Sequence, residues 1–100
     1  MATLIRHGSY TVDYDRKGDV LYISHGDPRP SESESKDRGI LVRYAFGEDS
    51  PSAITVIGFR KNHWDRNVKN LGGIVVSYIG GDIIEAVDAV TAATTTWSPR

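Results

Sequence analysis

The sequence predicts a single α+β domain: a four-stranded antiparallel β-meander with two C-terminal helices packed on one face. Three observations predict it. Up to about residue 60 the apolar residues come in short runs or at a spacing of two, between turns rich in Gly, Asp, Pro and Ser. After residue 62 the apolar spacing changes to three and four. Most strand connections are short, which favours antiparallel neighbours.

SYTVDYD (Ser9–Asp15) sets Tyr10, Val12 and Tyr14 against Thr11, Asp13 and Asp15, the alternation of a half-buried strand. Asp15–Gly18 reads as a type I turn with Gly18 in the left-handed position, which glycine adopts without penalty. Asp19–His25 is the second strand and closes a hairpin. A bulge at Gly18 would shift the register by one and change which residues share a face with the tyrosines, so both registers stay open. Val20-Leu21-Tyr22-Ile23 does not alternate. Both faces of that strand therefore carry apolar groups, and the second face needs a cover.

Gly26–Gly39 holds two prolines, three serines and charges of both signs, and reads as a solvated, mobile loop. Ile40–Phe46 is a third strand and Ala53–Arg60 a fourth, with a turn between them. Val68, Leu71, Val75 and Tyr78, with Ile74 and Ile79 beside them, form a helical stripe that Asn62 can cap, with Asp65 near its positive end. Gly72-Gly73 and the strand propensity of IVVSYI oppose that reading, so residues 71–79 are helix or strand, with helix favoured. Gly80-Gly81 breaks the chain. Asp82 then caps a second helix with Glu85 three residues on, in the manner of a capping box. Its stripe is Ile83, Ile84, Val87 and Val90, and it fades near Thr94. The domain spans residues 1–96, with the sheet in 8–60 and the helical part in 62–94; residues 97–100 are a tail.

One hundred residues make one domain, able to bury about two-thirds of its unfolded surface. The chain is 39% hydrophobic and 25% charged, with net charge −1, so no global field gathers polyanions or anionic lipid. With no cysteine, disulfides and thiolate metal sites are excluded. No apolar run approaches the roughly 20 residues of a membrane span, and MATLIRHGS is too short in apolar residues for a signal peptide. The expected location is cytoplasmic.

YDRKGDVLYI (Tyr14–Ile23), DRGILVRY (Asp37–Tyr44) and AITVIGF (Ala53–Phe59) together resemble the small bacterial family labelled domain of unknown function twenty-two eighty-three. Its members read Y-D-x-x-x-D-x-L-Y-I, then D-x-G-I-x-V-x-Y, then an I-x-G-I-x-I-like strand. The resemblance covers about residues 10–60. The chain departs from the pattern in its long serine-rich loop, in the late position of Gly58 and in a longer helical part from Trp64. The resemblance implies a small antiparallel sheet with helix attached and no known activity. Some members sit beside small toxin-like genes, which implies an antitoxin-like partner protein.

Several side-chain groups invite chemistry. His7 and His25 could meet at one rim of the hairpin and, with Asp27, offer metal ligands, but His63 lies elsewhere and no H-x-H spacing exists. Surface imidazoles explain them better, and no metal or cofactor is expected. Asp13, Asp15, Asp19 and Asp27 cluster around the hairpin, where turn chemistry accounts for them: Asp15 bonds back to the turn and Asp19 opens the strand. Ser24 and the serines of SESES lack a nucleophile elbow; a solvating or phosphorylatable segment fits them better.

The richest stretch is FRKNHWDRNVK (Phe59–Lys69), with Arg60, Lys61, His63, Arg66 and Lys69 around Trp64. An exposed Trp64 among bases would suit nucleic acid; a buried one would cap the core with the charges solvated, which is the favoured reading.

The expected function is a protein-binding or homodimerising module, the antitoxin-like member of a gene pair in one form. Its interface candidates are Leu21, Ile23, Ile57, Arg60, Trp64 and Arg66. The alternative is nucleic-acid binding through Arg60, Lys61, Trp64, Arg66 and Lys69. An enzyme is the third and weakest reading.

Overall fold

The computed structural model describes residues 2–26, 31–47, 50–80 and 83–96. Its strands are β1 (Ala2–His7), β2 (Tyr10–Asp15), β3 (Val20–His25), β4 (Ser31–Ser35), β5 (Ile40–Ala45) and β6 (Ala53–Ile57). Helices α1 (Val68–Ile79) and α2 (Ile83–Thr96) follow, with 3-10 turns at Asp37–Gly39 and Trp64–Arg66. The sheet has six strands in the order β1-β2-β3-β6-β5-β4. All five pairings are antiparallel.

The α+β class and the two C-terminal helices are as predicted. The four-stranded meander is not. The four predicted strands correspond to β2, β3, β5 and β6, but β6 lies between β3 and β5. β3 and β6 are the two central strands, and their apolar residues beyond simple alternation, Val20, Tyr22 and Ile57, lie on the face away from the helices. The missed strands are the edges. SESES, expected as loop, pairs along β5 from Ser31↔Ala45 to Ser35↔Leu41. It carries no apolar residue because it contributes backbone pairing and shields an edge with charge. β1 brings half-buried Ile5 to the rim of the core.

The hairpin register pairs Tyr14 with Leu21 and Val12 with Ile23. The tyrosines therefore share the helix-covered face with Leu21 and Ile23, all four fully buried along with Val12. The left-handed residue of the turn is Asp19, at φ 56°, not Gly18. Ile40, Val42, Ile54 and Val56 continue the same face across β5 and β6.

Residues 68–79 are helical, which settles the helix-or-strand alternative. Leu71 and Val75 are buried. Asn67, not Asn62, stands at the start of α1. In α2 the buried residues are Ala86, Ala89, Val90 and Ala93, spaced for one helical face. The predicted stripe is thus corrected: Ile83 and Ile84 are 57% and 68% exposed. Where α2 meets α1, the small residue is on α1. A Cβ on Gly72 would lie 2.6 Å from Val87 Cγ2. Asp82, expected as the cap, lies outside the described residues, as does the 97–100 tail. The Glu85 carboxylate instead accepts from the Ser9 amide at 2.6 Å, tying α2 to the β1–β2 turn. No described helix is long and apolar enough to cross a membrane.

Candidate functional site

Two regions carry groups beyond core packing: one end of the molecule, and the sheet face away from the helices.

At the end, Asp19 joins the β2–β3 turn to the segment after β6. Its backbone oxygen accepts from the Gly58 and Phe59 amides at 2.9 and 3.0 Å. Its carboxylate accepts from the Tyr14 hydroxyl at 2.7 Å and the Arg60 and Lys61 amides at 2.9 and 3.0 Å. Burial pushes this carboxyl up, but the three donors and the Arg60 charge hold it below its ordinary value. A second knot lies beside it. The Arg38 guanidinium sits 4.1 Å from the Trp64 ring centre and donates to the Asn62 oxygen at 2.7 Å. Trp64 Nε1 donates to the Arg38 oxygen at 3.0 Å, and the Asn62 amide reaches the Ile57 and Arg38 oxygens at 3.1 and 3.3 Å. That is the work of Asn62, which does not cap α1.

On the open face the register aligns Asp13, Tyr22, Thr55 and Leu41 in one row across β2, β3, β6 and β5. Tyr22 is 40% exposed at the centre. On either side of it, Asp13 Oδ1 and Thr55 Oγ1 are buried without a hydrogen-bond partner. Burial first, then the Asp15 charge, push the Asp13 carboxyl above its ordinary value. The neighbouring row holds Thr11, Ser24, Ala53 and Arg43, and Arg43 Nε donates to Ser31 Oγ at 3.0 Å. Ile57 adds an apolar group, 47% exposed.

The sequence candidates divide between these regions. Leu21 and Ile23 are 0% exposed in the core, so they are not surface residues; alternation sends Val20 and Tyr22 outward instead. Ile57 is on the open face. Arg60, Lys61, Arg66 and Lys69 are exposed at the Asp19 end, while Trp64 is 3% exposed with Arg38 over its ring. The centre that sequence reasoning missed is Tyr22 with Asp13 and Thr55. Their alternation with buried neighbours was visible, but the β3–β6 pairing was not.

His7 Nε2 lies 3.8 Å from Asp88 Oδ2, and His25 packs edge-on against Tyr10; Asp27 is outside the described residues. Among the described residues no three His, Asp or Glu side chains gather as metal ligands. Asp15 Oδ1 accepts from the Lys17 and Gly18 amides, as turn chemistry requires. A groove of about 340 Å³ runs along Asp65–Asn70, all of it from one continuous stretch, so no second element places groups opposite these.

No protein-family model, no curated protein and no solved structure matches the chain.

Proposed function

We propose that the protein is a homodimerising, protein-binding module whose interface is the sheet face turned away from the helices. The observation that carries this is Tyr22, 40% exposed at the centre of the face, with Ile57, 47% exposed, on the same face. Tyr22 is the aromatic anchor that such interfaces favour.

The occupant is a second copy of this chain. Asp13 and Asp15 lie on the β2 flank of the face, with Arg6 of β1 beside them opposite Thr11, and Arg43 lies on the β5 flank. A twofold axis that exchanges the flanks brings Asp13 and Asp15 of one copy towards Arg43 of the other, the self-complementarity of an isologous contact. At ordinary strand spacings the face measures roughly 29 by 20 Å. Two such faces bury about 1,200 Å², the lower bound of a specific interface. The antitoxin-like role implied by the family resemblance would use the same face with a small partner protein.

Light scattering across a concentration series tests this. Wild type should reach the mass of two chains, and Tyr22→Glu should stay at one chain with an unchanged circular dichroism spectrum. A mutant that keeps the wild-type mass refutes the face. A complex of one chain with another small protein in its own cells would replace the homodimer.

A further inference from the structure

We propose a second binding site, independent of the dimer face: the end of the molecule built around Asp19 binds the phosphate backbone of duplex nucleic acid. Although the net charge is −1, six basic residues gather at this end. Arg16 and Lys17 come from the β2–β3 turn, Arg38 from the 3-10 turn before β5, and Arg60, Lys61 and Arg66 from the segment after β6. All six are exposed. Distant in sequence, they are brought together by the Asp19 contacts to the Arg60 and Lys61 amides and by the Arg38 bond to the Asn62 oxygen.

Two features turn this cluster towards phosphate. The six basic residues outnumber the acidic residues of the same segments, Asp15, Asp19, Asp37 and Asp65, and two of these are held by backbone: Asp19 by the Arg60 and Lys61 amides, and Asp15 by those of Lys17 and Gly18. The segments carrying the basic groups are also pinned, so less ordering entropy is lost on binding. A third feature selects the duplex. Tyr14, Phe59 and Trp64 beside the cluster are all buried, which leaves the exposed imidazole of His63 as the ring there among the described residues. An imidazole is a smaller stacking platform than the phenol, phenyl and indole rings on which single-strand binders stack unpaired bases. Basic side chains without such rings suit a duplex, whose bases are already stacked and whose phosphates face outward.

The test is fluorescence anisotropy with a labelled random-sequence duplex of about 20 base pairs at about 50 mM salt. The same protein is titrated with the matching single strand, a polyglutamate peptide and phosphatidylserine vesicles. The expected result is tightest binding to the duplex, with affinity falling steeply with salt at about 0.9 log units per phosphate contact. Lys17→Glu with Lys61→Glu, both exposed, should keep the fold by circular dichroism, weaken duplex binding at least about tenfold and flatten the salt slope by about two. No duplex binding, tighter binding to any of the other three probes, or an unchanged affinity in the folded double variant would each overturn the proposal.

Discussion

Tyr14 donates its hydroxyl proton to Asp19 Oδ1 at 2.7 Å, across the turn joining β2 to β3. The same carboxylate receives the Arg60 and Lys61 amides, so one side chain fastens the hairpin to the far end of β6. Asp19→Ala leaves the Tyr14 hydroxyl and two backbone donors without their acceptor. The expected loss is about 2–4 kcal/mol, read as a lower urea midpoint at unchanged slope. Tyr14→Phe removes only one of the three bonds and should cost less, about 1.5–3 kcal/mol.

Asp19 and Asp13 should tilt the acid stability curve in opposite directions. The Asp19 carboxyl lies below its ordinary value in the fold. Its contribution is therefore present above the unfolded pKa of about 3.9 and lost as pH falls through the lowered native value. The Asp13 carboxyl is raised by burial and by Asp15, so its contribution is present below about 3.9 and lost as pH rises through the raised native value. Urea titrations at dilute protein should show a flatter acid limb for Asp19→Asn. Asp13→Asn should gain stability relative to wild type as pH rises from the acid range to neutral.

The paired glycines of α1 should respond with opposite signs. A Cβ at Gly72 meets Val87 Cγ2 at 2.6 Å, whereas one at Gly73 meets open space. Gly72→Ala should destabilise by about 1–3 kcal/mol, because the overpacked helix pair outweighs the gain in helix propensity. Gly73→Ala should stabilise by up to about 1 kcal/mol. Thermal denaturation of the two variants side by side gives the comparison directly.

Trp64 is held as a structural anchor by Arg38 on its face and by the Nε1 bond to the Arg38 oxygen. Trp64→Phe keeps a ring but removes the donor. The expected cost is about 1–3 kcal/mol, with the oligomeric mass unchanged because the residue is buried in a 3-10 turn and is not part of the open sheet face.

Much of this fold was legible in the residues. The tyrosine alternation of Ser9–Asp15 and the apolar run of Val20–Ile23 gave the hairpin, and the 68–78 stripe gave α1 despite Gly72-Gly73. β4 was not legible, because a pattern argument detects burial and Ser31–Ser35 is an edge strand with almost none. β6 lying beside β3 was not legible either, since short connections argue only for neighbours in sequence. The α2 face went astray because Ile83 and Ile84 outrank Ala86 and Ala89 in hydropathy, while the face that the fold buries is Ala86, Ala89, Val90 and Ala93. Asp19 was read as a strand opener; its partners at Arg60 and Lys61 lie 41 and 42 residues away, beyond any local signal.

The central claim is that a second copy covers the open face, and sedimentation velocity of wild type and Tyr22→Glu from low to high micromolar concentration tests it most directly. The account predicts that wild type passes from one chain to two across that range and that the folded Tyr22→Glu protein stays at one. Wild type that sediments as a single chain throughout, or a Tyr22→Glu protein that dimerises equally well, would contradict it.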